Sequence, residues 1–132
     1  MNSAIRRFTV VAAVIEDDQG RVLLCRRPEG VHMAGLWEFP GGKREPGEDL
    51  EQALQRELVE ELGITIKVVE PLTFAVHREP GLEILLLFYR ARILKGNPAP
   101  REGQEVEWVE VGDLHRYPTP PADVGIVELL QG

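Results

Sequence analysis

The stretch over residues 42–64 constrains this chain more than any other, and it reads GKREPGEDLEQALQRELVEELGI. Its first part, which begins at Gly42, is rich in glycine and proline and favours a loop, because glycine accepts positive φ and proline presets a turn. Its second part has a leucine at every fourth position. We therefore predict a loop followed by a helix over about 49–62, with Gly63 as the residue that ends it.

Three glutamates of the predicted helix, Glu57, Glu60 and Glu61, lie within one turn. At ~100° per residue Glu61 falls inside the leucine stripe and Glu57 at its edge, where a solvated charged face would not be. Carboxylates at this spacing project together and repel each other unless a cation lies between them. Mg²⁺ prefers such oxygen ligands, together with phosphates and water. The pattern favours a metal site for phosphoryl chemistry over the commoner alternative, an acidic helix with ordinary charged partners.

Length and composition narrow the class of protein. A chain of 132 residues, 43% hydrophobic and 28% charged, is typical of one globular domain over 1–132. A net charge of −7 argues against a nucleic-acid polymer as ligand, because backbone binding requires clustered lysine and arginine. No run of residues is apolar enough to span a membrane and no signal peptide is visible, so we expect a cytoplasmic protein, either monomer or homodimer. The single cysteine, Cys25, permits no internal disulfide, and its apolar neighbours predict burial.

The remaining segments are predicted from alternation of apolar residues and from turn residues. Pro71 should interrupt one strand, and prolines before residue 123 should open a final helix. We expect 21–26 to pair with the preceding strand as a hairpin. His77 is expected at the surface at a strand end, and lining of the pocket is the alternative. Strands are predicted over 8–15, 21–26, 64–69, 73–77, 83–94 and 104–111.

The stretch 42–64 resembles the Nudix box without a departure, and the chain is similar to the Nudix hydrolase family. The segment GLWEFPGG over 35–42 is similar to the MutT-like and CTP pyrophosphohydrolase-like subgroup. The resemblance implies an α/β Nudix fold, which is an α/β/α sandwich with a central mixed β-sheet.

The resemblance also implies roles for residues of the box. Mg²⁺, or Mn²⁺ in its place, is expected on Glu57, Glu60, Glu61 and the Gly41 carbonyl. Glu57 is also the candidate for the base that activates water.

Further expectations concern the surroundings of the metal. Arg56 and Glu48 should form an ion pair that ties the helix to the loop, while Gly42 and Gly63 are structural. Glu102 is expected to approach the metal, although an exposed loop glutamate is the plain alternative.

A second group of residues is expected to hold the nucleotide. Four of them also have an ordinary structural explanation: Arg27 as a solvated arginine, His32 as a loop histidine, Phe39 as a core residue and Asp123 as an acid at a helix N-terminus. Because an ionised carboxylate only accepts hydrogen bonds, Asp123 should favour a base edge with donors, such as cytosine N4. The expected set is Arg27, His32, Glu38, Phe39, Pro40 and Asp123.

The function implied is hydrolysis of a nucleoside triphosphate to the monophosphate and pyrophosphate, on (d)CTP-type nucleotides, 8-oxo-dGTP-type nucleotides or both. Two alternatives stay open. The same box serves hydrolases of nucleotide sugars and dinucleoside polyphosphates. The same fold also occurs as a non-catalytic nucleotide-binding module, although such modules typically lose glutamates of the box.

Overall fold

The computed structural model describes residues 4–132, and within them the chain forms seven strands, two α-helices and two short 3₁₀ turns. The strands are β1 (Arg6–Ile15), β2 (Arg21–Arg26), β3 (Trp37–Glu38), β4 (Gly41–Lys43), β5 (Thr65–Glu79), β6 (Leu82–Lys95) and β7 (Glu105–Glu110). The helices are α1 (Leu50–Leu62) and α2 (Val124–Gln131), and the turns are Val111–Arg116 and Pro121–Asp123.

The strands form a mixed four-stranded sheet in the order β4-β1-β6-β5 and a three-stranded sheet in the order β3-β2-β7. β1 runs parallel to β6 along its whole length and antiparallel to β4 at Val10–Ala12. The predicted hairpin between β1 and β2 is wrong, since a single bridge joins Glu16 to Val22. β1 already has β6 and β4 on its two sides, so β2 pairs with β7 and β3 instead.

Two hydrophobic cores lie on opposite sides of these strands. In β1, Val11, Ala13 and Ile15 pack into the core under α1, whereas Ala12 and Val14 pack into the core on the side of α2. A strand buried on both faces reads as a continuous apolar run, as β1 does. The α/β sandwich expected from the sequence is therefore confirmed. Cys25 is buried as predicted, and burial raises the pKa of its thiol.

The predicted break at Pro71 is wrong, because β5 continues through it as one strand of 15 residues. Its pairing with β6 shifts register near Val68 and again at Pro71. β5 lies at the edge of the sheet, so one side of its backbone has no neighbouring strand. A proline there lacks an N–H, but no strand on the open side needs that donor. The irregular register absorbs the proline without ending the strand.

Helix α1 begins and ends as the sequence indicates. Asp49 Oδ1 accepts a hydrogen bond from the Gln52 N–H (2.8 Å), and Gln52 Oε1 accepts one from the Asp49 N–H (3.2 Å). This reciprocal pair satisfies two donors at the helix N-terminus. Gly63, at φ 68°, ends the helix and donates to the Val59 carbonyl (3.0 Å). Among residues 4–132, no helix has the length and apolar character that crossing a bilayer requires.

Candidate active site

The loop over 96–104 closes the C-terminal end of α1. The Arg101 N–H and the Gln104 side-chain amide both donate to the Glu61 carbonyl, each at 3.1 Å. Carbonyls in the last turn of a helix have no hydrogen-bond donor within the helix, so this loop supplies the donors for the Glu61 carbonyl. The same contacts bring Glu102 into a cleft that Glu61 and Gly41 also line.

Glu61 is the most buried carboxylate of the box, with 8% of its surface exposed. Its Oε2 accepts a hydrogen bond from the Gly41 N–H (3.1 Å). Burial raises its pKa to about 8, the Gly41 N–H opposes this rise, and the charges of Glu38, Glu102 and Glu57 add to it. The buried Glu61 carboxylate therefore lies within the electrostatic influence of three other carboxylates.

Glu57 lies against the backbone of Gly42. A Cβ placed on Gly42 would come within 2.3 Å of the Glu57 carboxylate, so only glycine leaves room for this side chain. Burial raises the pKa of Glu57, although a hydrogen bond from Arg56 opposes the rise. A raised pKa suits a carboxylate that accepts a proton during a reaction near neutral pH.

Arg56 makes five hydrogen bonds, and three of them tie helix α1 to the segment that precedes it. It grips Glu48 in bidentate fashion, with Nε to Oε2 at 2.6 Å and Nη2 to Oε1 at 2.9 Å. Nη2 also donates to the Lys43 carbonyl (3.0 Å), and Nη1 donates to Glu57 (3.0 Å) and Glu60 (3.2 Å). The expected pair of Arg56 and Glu48 is present. Glu60 lies at the rim, with 54% of its side chain exposed.

Arg27 and Glu38 face each other at the centre of the cleft system. Arg27 Nη1 donates to both Glu38 oxygens, at 3.0 and 3.3 Å, and its Nε donates to the His32 carbonyl (2.7 Å). Burial raises the pKa of Glu38, and the positive charge of Arg27 opposes that rise. The pair lines two clefts: the one that contains Glu61, and a second one that contains Asp123. It therefore stands where the two clefts meet.

The second cleft has a volume of about 290 Å³ and mostly apolar walls, with Asp123 as its most buried acid. Asp123 follows the prolines that open the C-terminal region, and 3% of its surface is exposed. Burial, together with the charge of Glu38, raises the pKa of Asp123 to about 7 from an ordinary value of 3.8. His32 lies at the exposed rim of this cleft. The walls are Phe8, Val10, Met33, Leu82, Ile84 and Leu86.

His77 was expected at the surface, and the structure corrects this. Its side chain is 20% exposed and lines the second cleft beside Glu79, with Nε2 3.0 Å from Glu79 Oε2. Ala75, two residues earlier, packs into the core on the α2 side, and residues two apart in a strand share a face. The predicted strand over 73–77 ends at His77, whereas β5 continues to Glu79 and keeps His77 within the strand, on the same face as Ala75.

The aromatic segment before β4 supports the cleft from behind. Trp37 packs edge-on against Tyr117 at 5.4 Å, beside the core on the side of α2. Phe39 is buried and packs edge-on against Phe88 at 6.1 Å, while also lining the passage between the clefts. Pro40 is buried, and its carbonyl accepts a hydrogen bond from the Ala13 N–H (2.8 Å). Contact of Phe39 or Pro40 with a nucleotide stays a prediction.

Comparison with known proteins identifies the family. The family model described as NUDIX domain matches residues 6–130. The chain belongs to the Nudix family. It is 40% identical over 124 residues to a CTP pyrophosphohydrolase of Escherichia coli K12, covering 94% of this chain and 91% of that protein. It is 33% identical over 127 residues to an 8-oxo-dGTP diphosphatase of the same organism, covering 96% and 98%.

Solved structures agree with this assignment. A MutT protein from Methanosarcina mazei superposes with a TM-score of 0.84 at 26% identity, covering 96% of this chain and 94% of that one. A MutT Nudix hydrolase from Burkholderia pseudomallei has a TM-score of 0.83 at 30% identity, covering 93% and 97%. The predicted family, fold and hydrolase class are confirmed.

Nudix hydrolases generally need a divalent metal, and the residues present here fit one. All the candidate ligands are oxygens, which suit Mg²⁺. Burial is the main cause of the raised pKa values of Glu57 and Glu61, and neighbouring carboxylates add a smaller contribution that a cation would offset. Within residues 4–132 no three acidic, histidine or cysteine side chains are drawn together around a single point. Arg56 Nη1 donates to one oxygen each of Glu57 and Glu60.

The tie between Arg56 and Glu48 predicts a stability that depends on pH. Hydrogen bonds from Arg56 hold the pKa of Glu48 below its ordinary value of 4.5. A carboxylate whose pKa is lower in the folded state stabilises the protein at pH values above its pKa in the unfolded state. That stabilisation is lost as the pH falls through the pKa of the folded state. Glu48→Gln should therefore lower the free energy of unfolding near neutral pH, and the loss should shrink below pH 4.5.

Urea denaturation at about pH 7 and about pH 3 measures this difference. Glu45→Gln is the matched control, because Glu45 also contacts Arg56, at 3.6 Å, but is 63% exposed. Its effect should be smaller at both pH values, as for other surface pairs. An equal loss from Glu48→Gln at both pH values would contradict the assignment.

Proposed function

We propose that this Nudix hydrolase cleaves nucleoside triphosphates to the monophosphate and pyrophosphate, and that it acts on cytosine nucleotides, 8-oxo-dGTP-type nucleotides or both. One observation carries the proposal. Arg27 and Glu38 line both the cleft that holds Glu61 of α1 and Glu102, and the cleft that holds Asp123. A triphosphate on the helix side and a base beside Asp123 fit this arrangement. The printed names of the relatives support both kinds of substrate.

Mg²⁺, or Mn²⁺ in its place, when held by Glu57, Glu60, Glu61, Glu102 and the Gly41 carbonyl, would neutralise phosphate charge and activate a water. Glu57 accepts a proton from that water as its oxygen bonds to phosphorus and the bond to the departing pyrophosphate breaks. Arg56 Nη1, 3.0 Å from Glu57 Oε1, orients the carboxylate for this transfer. Gly42 leaves the space in which Glu57 lies.

The nucleoside is held by the second cleft. Its apolar walls suit the faces of a base, and Asp123 is placed to read the base edge. Arg27 stands between base and phosphates, with Glu38 fixing its direction. His32 and Glu38 complete the expected nucleotide contacts. We expect the protein to work in the cytoplasm, as a monomer or a homodimer.

Asp123 predicts a base preference that changes with pH. Because its pKa is raised to about 7, the carboxyl is neutral below that pH and can donate a hydrogen bond, whereas above it the carboxylate only accepts. The ratio of kcat/KM for CTP to that for 8-oxo-dGTP should therefore rise through pH 7. Asp123→Asn, which always carries a donor, should flatten this rise and shift the preference toward 8-oxo-dGTP.

Steady-state kinetics between about pH 5.5 and about pH 8.5 measure the ratio. Asp113→Asn is the matched control, since Asp113 is an acid in the turn Val111–Arg116 that pairs with Arg116 at 3.8 Å. It should leave the profile unchanged. The same slope in Asp123→Asn as in the wild type would remove Asp123 from base reading.

The function itself is tested by release of pyrophosphate with Mg²⁺ from CTP, dCTP, 8-oxo-dGTP and dGTP, with ADP-ribose and a diadenosine polyphosphate as other Nudix substrate types. Turnover of the triphosphates is the expected result. Turnover of ADP-ribose or the diadenosine compound alone would overturn the triphosphate assignment. Absence of all turnover would favour a non-catalytic module.

A further inference from the structure

A basic groove of about 510 Å³ lies along the start of β1 and the end of β4. Its cations are Arg6, Arg7, Lys43 and Arg44, and the Phe8 ring lies among them. The chain as a whole carries a net charge of −7, so four cations around one concavity are a local exception. The proposed reaction uses none of these four side chains.

Three of the four cations form no salt bridge with a described carboxylate. Among the residues that the structure describes, no carboxylate lies within 4 Å of Arg6, Lys43 or Arg44, whereas Arg7 pairs with Glu83 at 3.2 Å. Arg44 Nε donates to a backbone carbonyl, that of Glu48 (2.7 Å), which leaves its charge in place. The groove therefore has positive charge available for an anion.

The Phe8 ring holds two of these cations in position. The Arg6 guanidinium carbon lies 5.9 Å from the ring centroid, and Lys43 Nζ lies 4.7 Å from it. A cation over an aromatic face is attracted to the ring without being neutralised. Phe8 therefore positions the two cations without neutralising them. Because their side chains are partly ordered before a ligand binds, binding loses less conformational entropy.

The backbone beneath the groove is firmly placed, yet open on one side. β4 pairs with β1 only at Val10–Ala12, and the Arg44 N–H extends the contact to the Thr9 carbonyl (2.9 Å). In the described chain, the start of β1 has no strand on the side of β4, while β6 supports its other side from Arg6 onward. A rigid strand with one open side is a suitable base for a binding site.

We propose that this groove binds a polyphosphate anion at a second site, distinct from the catalytic cleft. A di- or triphosphate concentrates several negative charges in a small volume and matches cations grouped around a concavity. A long polyanion fits less well, because beyond the groove it would run over the surface of a strongly acidic protein. The anion could come from a free nucleotide, from released pyrophosphate or from inorganic polyphosphate.

The test is titration calorimetry with inorganic tripolyphosphate in the presence of EDTA. Without a divalent cation the carboxylates of α1 repel anions, so binding in the catalytic cleft is suppressed. We expect one anion per chain, and about tenfold or greater weakening in the double variant Arg6→Gln/Lys43→Gln, which keeps side-chain length but removes two charges. The matched control is Lys67→Gln/Lys95→Gln, which removes the same charge at the opposite end of the sheet and should change affinity less than about twofold.

Amide shifts in ¹H–¹⁵N NMR spectra locate the anion, and they should cluster at Arg6, Arg7, Lys43 and Arg44, which line the groove but not the second cleft. Equal weakening in the two double variants, or shifts confined to Gly41 and Glu61, would overturn the proposal. So would failure of tripolyphosphate where a single-stranded oligonucleotide or an anionic phospholipid vesicle binds through Arg6 and Lys43. Tighter binding of CTP than of tripolyphosphate supports a nucleotide as the source if Arg6→Gln/Lys43→Gln abolishes the difference, and equal binding supports phosphate groups alone.

Discussion

Glu57→Gln is expected to lower kcat by about 10²- to 10⁴-fold while leaving the fold intact. Glutamine matches glutamate in size, so it fits the space over Gly42 and can still accept a hydrogen bond from Arg56. It cannot take a proton from water, and it removes one negative charge from the metal site. The free energy of unfolding should change little, because burial already disfavours the charged form of Glu57. Pyrophosphate release and urea denaturation measure the two quantities on the same sample.

Glu51→Gln is the matched control for this experiment. Glu51 lies in the first turn of the same helix, is exposed, and is outside the cleft that holds Glu61. The substitution should leave kcat within about twofold of the wild type. A Glu57→Gln protein that kept more than about a tenth of its activity would show that another carboxylate, Glu38 or Glu102, accepts the proton.

Gly41→Ala should have the largest effect on stability, about 3 kcal/mol or more. A Cβ at this position would lie 1.9 Å from the Val11 carbonyl oxygen and 2.7 Å from the Ala12 Cα. Both are backbone atoms of the central strand, so no side chain can move aside to accept the methyl group. β4 would have to separate from β1, and the Gly41 N–H would then leave Glu61. Activity should fall together with stability.

Gly112→Ala tests whether this effect is specific to the site of contact. An added Cβ at Gly112 meets no atom within 4 Å, and the backbone there is not in the left-handed region. Its free energy of unfolding should stay within about 0.5 kcal/mol of the wild type. Urea denaturation of both variants decides the matter. A Gly41→Ala protein as stable as Gly112→Ala would mean that β4 can move away from β1 at little cost.

The helix and loop of the Nudix box could be predicted because their signals are local. Caps, the leucine stripe and the inward position of Glu61 all follow from residues close together in sequence. Strand pairing is not local, and the wrong hairpin shows this, since β1 takes its partners from residues 41–43 and 82–91. The second cleft draws on segments near residues 8, 32, 84 and 123, whose meeting no local pattern indicates. Individual nucleotide contacts there therefore depended on resemblance, and His77 was misplaced.

The pairing of β1 with β6 joins Arg6 to Leu82 and Ile15 to Ala91, across a long intervening stretch of chain. Contacts between residues so distant in sequence form slowly, whereas a capped helix such as α1 forms faster because its contacts are local. During synthesis, the glutamates of α1 are made well before the strand that anchors their surroundings. A nascent chain halted before Leu82 would carry the whole Nudix helix without β6, and so without a completed central sheet to pack it against. The catalytic cleft is thus among the last parts of this protein to be assembled.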